Sequence, residues 1–361
     1  MQQIIVRPLT IDLTMNLANR TAVYDIGHEL HAIAHPEFVR YWRILIRGTI
    51  PFARGPKISL LGKAVARAVF WEVTRPWTGF WPRGEGSVLF VDPLFCAKTR
   101  LKSSDIVLCH DVAPVSNPEY YEEGAGDSYA IAYKRIQNAK PALVFVSDFT
   151  RRAFLKLFPA DYPMTEVIPL YFRSTLANAK PGPARERPYF LMVGSMECRK
   201  NVRAAFDAYR RSGLYERGVD LLIVGPRGNA SAELLPVIEA TPGIEHLGYL
   251  SDQQLATFYK HATALFFPSL LEGFGVPALE APHAGVLPIV SRGTVLEEIV
   301  GPDGVFVDPT SIDDMARALN EVVVMPAVEK ASRLEAISVH QMQFSLENFR
   351  ARWGALVAKV Q

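Results

Sequence analysis

Short apolar runs separated by stretches of helical spacing recur along the whole chain, and this alternation restricts the fold more than any other property. One set of candidate strands comprises Ile4–Val6, Ser87–Phe90, Ile106–Cys109, Leu143–Ser147 and Val167–Pro169. A second comprises Tyr189–Val193, Asp220–Val224, Glu245–Leu247, Ala264–Phe267 and Leu287–Val290. Continuous apolar runs alternating with helices imply parallel sheets covered on both faces. Between the two sets lies Arg173–Pro188, rich in Ala, Pro, Lys and Arg, which reads as a linker. The expectation is therefore an α/β protein of two doubly wound domains, residues 1–172 and 189–340. A linker at 173–188 joins them, and a last helical segment spans 341–361.

A length of 361 residues suits two cores of ordinary size. The content of 49% hydrophobic and 21% charged residues is that of a globular protein. A net charge of +2 argues against a nucleic-acid partner. Three cysteines (Cys96, Cys109 and Cys198), an odd number without a Cys-x-x-Cys pair, suit a reducing compartment. No stretch has the features of a signal peptide or a membrane span, so a cytoplasmic protein is expected, with peripheral contact at the inner face of the plasma membrane left open.

The chemistry concentrates where strands end. Ala264–Phe267 runs into Pro268-Ser269-Leu270-Leu271-Glu272-Gly273-Phe274-Gly275, and a helix is expected from Val276. Glu272 then lies in a loop at a strand's C-terminal end, and Glu280 about one turn into the helix. Ligands bind at such edges of open α/β sheets, and helix N-termini attract anions. A glutamate in an early helical turn also simply complements the helix dipole, so the pair alone leaves both readings open. Three further strand ends carry loop chemistry. Val193 leads into Gly194-Ser195-Met196-Glu197-Cys198-Arg199-Lys200-Asn201, Val224 into Gly225-Pro226-Arg227-Gly228, and Leu247 into Gly248-Tyr249-Leu250-Ser251-Asp252. Cations beside helix N-terminal amides can hold a diphosphate, and four such loops on one domain point to a nucleotide site.

Taken together, these blocks and Gly304-Val305-Phe306-Val307-Asp308-Pro309 resemble the family 4 glycosyltransferases, retaining and metal-independent enzymes with two Rossmann-like domains facing a central cleft (the GT-B fold). The resemblance is dense over 189–322 and thinner over His110-Asp111-Val112-Ala113-Pro114 and 146–152. It implies that Glu272 contacts donor-sugar hydroxyls, Glu280 the ribose, and Lys200, with Arg199, the diphosphate. Gly194 and Ser195 belong to that diphosphate loop. Phe274, Gly275 and Val276 would offer backbone amides, and Gly248, Tyr249 and Leu250 would hold the base. His110 would face the sugar from the first domain, and the C-terminal helix would cross back to that domain. No cofactor or metal is implied. The pattern is nearest to bacterial polysaccharide mannosyltransferases, which implies a GDP-sugar donor and a glycan or polyprenyl-diphosphate-linked acceptor; a UDP-sugar donor is the alternative. Two departures stand out: Ser195 occupies a position where many members have arginine, and the glycine-rich loop expected after the first strand is missing. These leave open a non-catalytic nucleotide-sugar-binding partner. A dinucleotide-dependent oxidoreductase is disfavoured, because no Gly-x-Gly-x-x-Gly follows an early strand.

Residues 38–83 are unusual. Arg40, Arg43, Arg47, Arg54, Lys57, Lys63, Arg67, Arg75 and Arg83 stand against one acid, Glu72, and interleave with Trp42, Trp71, Trp77 and Trp81. Such a mixture suits an anionic membrane surface on the acceptor side, with Arg40, Arg43, Arg47 and Trp42 as its expected contacts. It equally suits an ordinary core with a solvated basic face.

Overall fold

The computed structural model describes residues 8–18, 22–48, 58–75, 78–173, 176, 180 and 182–360. The chain divides into two compact units, Met1–Pro169 together with Glu347–Gln361, and Leu170–Leu346. Each is built on a sheet of the Rossmann type.

In the first unit the strands are β1 (Leu9–Asp12), β2 (Phe38–Tyr41), β3 (Ile44–Arg47), β4 (Ser87–Phe90), β5 (Ile106–Cys109), β6 (Ala142–Phe145) and β7 (Thr165–Val167). Their spatial order is β3-β2-β1-β4-β5-β6-β7. Every pairing is parallel except the β2–β3 hairpin. The central strands β1, β4, β5 and β6 are fully buried, as the uninterrupted apolar sequences of β5 and β6 require. On one face Tyr133, Phe154 and Phe158 pack in mutual ring contact, with Phe145 against Phe154. The helix Leu346–Val360 buries Phe349, Trp353, Leu356 and Val357, and its Arg350 pairs with Glu29.

In the second unit the strands are β8 (Tyr189–Val193), β9 (Asp220–Val224), β10 (Ile244–Gly248), β11 (Ala264–Phe267), β12 (Pro288–Ser291) and β13 (Val305–Val307). They are all parallel in the order β10-β9-β8-β11-β12-β13. The order reverses between β8 and β11, the switch point at which a crevice opens at the C-terminal ends of the strands. The amphipathic helix Val202–Ser212 follows β8, burying Val202, Ala205, Phe206, Ala208 and Tyr209.

Most of the expected strands form within a residue or two of their expected bounds. The expected strand Ile4–Val6 lies outside the described residues; the first observed strand is Leu9–Asp12, whose Thr10 and Asp12 mask its apolar character. The β2–β3 hairpin and β13 were not anticipated. Arginines interrupt the hairpin's apolar pattern, and β13 is only three residues long.

Candidate functional site

The switch point of the second unit is assembled by tight backbone. After β8, Gly194 has φ +141°, and a Cβ on Gly225 would lie 2.1 Å from the Gly194 carbonyl oxygen, so the loops after β8 and β9 touch at glycine. A 3-10 turn, Cys198–Lys200, leads to Asn201, whose left-handed conformation (φ 58°) starts the next helix. The Asn201 amide donates to the carbonyls of Pro268 (3.1 Å) and Pro309 (2.7 Å), and Leu270 N–H donates to Arg199 O (2.8 Å). The loop after β8 is thereby fastened to the loops after β11 and β13.

These fastenings bring Lys200, Arg199 and Glu272 together. Lys200 Nζ bonds Glu272 Oε1, and Arg199 Nη1 lies 3.1 Å from Glu272 Oε2 and 3.2 Å from the Leu271 carbonyl. Lys200 Nζ also sits 4.6 Å from the centre of the Phe267 ring. Arg199 Nε bonds Glu197 Oε2 at 2.7 Å, and Ser195 Oγ donates to Glu197 Oε1. The side chains of Lys200 and Glu272 are 11% and 8% exposed. Burial alone would push the Glu272 carboxyl up, but Lys200 and Arg199 outweigh it and hold it below the ordinary value. Burial lowers the Lys200 ammonium, and Glu272 opposes that shift without cancelling it. Two cations and two carboxylates balance here, so any further anion would have to compete with Glu272 and Glu197 for the positive charge. The expected division, Glu272 for sugar and Lys200 for phosphate, starts from a direct pair between them.

Glu280 makes a second, separate cluster. It is 2% exposed, on the helix Val276–His283. Its Oε1 accepts from Arg173 Nε (2.9 Å) and Nη2 (2.7 Å), and its Oε2 from the Tyr259 hydroxyl (3.2 Å). Burial raises the Glu280 carboxyl above its ordinary value despite Arg173. Gly275 begins this helix with φ +95°, a conformation that favours glycine, while Phe274 is buried edge-on to Phe344, 5.7 Å between ring centres. After β10, Gly248 takes φ +70° and its carbonyl accepts from Gly225 N–H at 2.8 Å. Tyr249 is 80% exposed, an unusual setting for a large ring; Leu250 is half-buried.

In the first unit His110 follows β5, and its Nε2 lies 2.8 Å from the Val91 carbonyl. A carbonyl only accepts, so Nε2 is the donor in this contact. Asp92, beside it on the β4 exit, accepts from Leu94 N–H and the Tyr129 hydroxyl, and burial raises its carboxyl.

The expected membrane-side cations are corrected in part. Arg40 is fully buried: its Nε bonds Asp12, Nη1 lies 3.3 Å from Pro82 O, and its guanidinium stacks on Trp81 and Phe90. It lies on β2 in register with Asp12, so strand pairing carries it into the core, and it cannot meet a membrane. Arg43 is half-exposed, but its guanidinium is spent on Glu72 and the Thr78 carbonyl. Glu72 also accepts from Trp42 Nε1 (2.8 Å) and Trp81 Nε1 (2.9 Å). Burial would raise the Glu72 carboxyl, yet these bonds bring it below the ordinary value. Arg47 is 79% exposed, and Trp71 is exposed beneath Arg75. Arg54, Lys57, Trp77 and the Lys63 side chain lie outside the described part of the structure.

Sequence reasoning overlooked Arg173 and Tyr259, and gave Asn201 no role. Arg173 stood in a segment read as linker, and only the fold shows it against an acid 107 residues away.

Two Rossmann-like units, one holding a cation–carboxylate cluster at its switch point, define a doubly wound α/β protein. Residues 175–338 match the family described as glycosyl transferases group 1. The chain is similar to O-antigen chain mannosyltransferase B of Escherichia coli, 27% identical over 275 residues, covering 72% of this chain and 71% of that protein. It is 30% identical over 204 residues to the MMP alpha-(1->4)-mannosyltransferase of Mycolicibacterium hassiacum, covering 54% and 48%. It is 29% identical over 144 residues to the GDP-mannose:cellobiosyl-diphosphopolyprenol alpha-mannosyltransferase of Komagataeibacter xylinus, covering 36% and 37%. The matches to these last two thus span about half or less of each relative's length. Among solved structures, Anabaena HepE in complex with UDP and glucose superposes with a TM-score of 0.70 at 12% identity, over 98% of this chain and 100% of that one. Sucrose-phosphate synthase of Thermosynechococcus elongatus gives 0.66 at 16% identity, over 98% and 99%. Both share the fold. Among the described residues, no helix is long and apolar enough to cross a membrane.

Proposed function

We propose that the chain is a retaining, metal-independent mannosyltransferase that takes mannose from GDP-mannose and adds it to a glycan or polyprenyl-diphosphate-linked oligosaccharide in polysaccharide assembly. The observation that carries this reading is the Lys200–Glu272–Arg199 cluster at the switch point of a group 1 glycosyltransferase domain. The mannosyl donor and the polysaccharide setting rest on the named activities of the relatives.

The cluster fits the chemistry. Cleaving the bond from the anomeric carbon to the diphosphate leaves positive charge on the sugar and negative charge on the departing oxygen. Lys200 and Arg199 supply the charge that stabilises that oxygen, the role a metal has elsewhere. As the diphosphate draws Lys200 away, Glu272 turns its oxygens to sugar hydroxyls. Glu280 receives the ribose and Tyr249 lies under the base. No enzyme nucleophile is required, because the acceptor hydroxyl attacks from the face the diphosphate leaves and passes its proton to the departing phosphate oxygen. In this reading His110 belongs to the unit that binds the acceptor. A polyprenyl-linked acceptor would draw the chain to the cytoplasmic face of a membrane, which the exposed Arg47 could meet and the buried Arg40 could not.

The test is transfer of labelled mannose from GDP-mannose to a lipid-linked glycan acceptor, with UDP-glucose and UDP-galactose in parallel. Transfer from GDP-mannose alone, abolished in Glu272→Ala, supports the reading. Transfer from a UDP-sugar only would overturn the donor, and undiminished transfer by Glu272→Ala would overturn the site.

A further inference from the structure

We infer that Arg173 is a positioning residue for nucleotide recognition: it saturates one oxygen of Glu280 so that the other is presented, ionised and fixed, to the donor ribose. The inference rests on the ribose role of Glu280 proposed above and deepens it.

A carboxylate oxygen accepts about two hydrogen bonds. Arg173 Nε and Nη2 both donate to Glu280 Oε1, which fills that oxygen. The Tyr259 hydroxyl donates to Oε2. Among the described residues this leaves a single acceptor position on Glu280, and it is on Oε2. Two guanidinium bonds converging on Oε1, with the Tyr259 hydroxyl on Oε2, hold both oxygens of the carboxylate, which one lysine contact would not do.

The arrangement is held from several sides. Phe172, the residue before Arg173, stacks on His283 at 4.1 Å with the rings 10° apart, and its N–H donates to the Phe344 carbonyl at 3.1 Å. His283 lies on the same helix as Glu280, so the segment carrying Arg173 is clamped to that helix at two points. Arg173 Nη1 lies 3.9 Å from Asp252, at the start of the helix that carries Tyr259. That helix follows directly on the Gly248–Leu250 loop assigned to the base. Arg173 therefore joins the ribose-binding helix to the base-binding loop.

Charge makes the contact necessary. Burial raises the Glu280 carboxyl above its ordinary value; Arg173 is the main influence against this, Tyr259 assists, and Asp252 works with burial. Without Arg173, Glu280 would take up a proton at higher pH and lose acceptor capacity toward a hydroxyl.

Calorimetric titration of GDP and 2′,3′-dideoxy-GDP, with the UDP pair in parallel, separates the possibilities, using wild type, Arg173→Lys, Arg173→Gln and Glu280→Gln. A hydrogen bond to a charged group predicts that wild type prefers the ribonucleotide about ten- to a hundredfold. Arg173→Gln should reduce this preference to less than about threefold, and Arg173→Lys should keep an intermediate value. The pH at which the preference is lost should also move upward in Arg173→Gln. If Glu280→Gln loses the preference while both Arg173 variants keep it, the inference fails and the ribose reading stands. If Glu280→Gln keeps the preference, the ribose reading itself fails. Thermal melting of each variant shows which are folded, and Arg173→Lys retains the charge that a fold-supporting contact needs.

Discussion

The two units carry the same strand order around their switch points, and fill them in opposite ways. In the second unit, β8 and β11 exit into Lys200 and Glu272, partly exposed and tied to loops. In the first, β1 ends at Asp12, whose partner Arg40 comes from the neighbouring strand and is sealed beneath Trp81 and Phe90. Both hold paired charges; access differs. An ion pair whose members lie on adjacent strands in register is consumed by the fold, whereas one made by side chains on strand-exit loops remains available to exchange partners with a ligand.

The largest effect expected from this contrast is on stability. Asp12→Ala strands the Arg40 charge in the core and should cost about 3–5 kcal/mol in urea denaturation, while the paired replacement D12L/R40M recovers most of that loss. If Asp12→Ala were nearly neutral, the two pairs would not differ in kind. Next comes Lys200→Ala, which should lower kcat by about a hundred- to a thousandfold, with far less change in denaturation than Asp12→Ala. Glu72→Gln, which removes the charge shared by Arg43, Trp42 and Trp81, should cost about 1.5–3 kcal/mol and leave nucleotide affinity unchanged. The smallest effect belongs to Arg47→Ala, since its exposed pair with Glu37 is worth less than about 1 kcal/mol.

Acid sharpens the comparison further. Glu72 and Glu272 both titrate below their ordinary range in the folded chain. Their stabilisation is complete above the unfolded carboxylate value of about 4.3 and is lost as pH falls through the lower folded values. Glu280 runs the other way: its raised carboxyl favours the protonated folded state, a contribution present at low pH and lost as pH rises through the folded value. A denaturation series from neutral pH downward in Glu72→Gln, Glu272→Gln and Glu280→Gln should therefore show a weaker acid dependence for the first two and a stronger one for the third.

Much of this architecture was legible in the residues. Strands such as Tyr189–Val193 and Ala264–Phe267 are bounded by glycine and proline and cannot be anything but buried, and the glutamate pair lies in the loop and helix its punctuation demands. What spacing could not reveal was which charges cancel. Arg40 and Arg43 look alike in a basic stretch, yet pairing register buries one and leaves the other half-exposed. Arg173 was invisible as the partner of Glu280 because the two are distant in sequence and its own neighbourhood reads as linker. Asn201 was visible as part of a loop, but its role as the tie between three strand exits depends on a left-handed backbone that no local pattern announces.

The most direct test of the central claim, that the exchangeable cluster at the second switch point is the donor site, is single-turnover consumption of GDP-mannose by wild type and Glu272→Ala at matched folded concentration. The account predicts turnover by wild type and a loss of about a hundredfold or more in the variant, as for removal of a group that stabilises developing charge. Turnover in Glu272→Ala within about threefold of wild type, well inside that range, would contradict it.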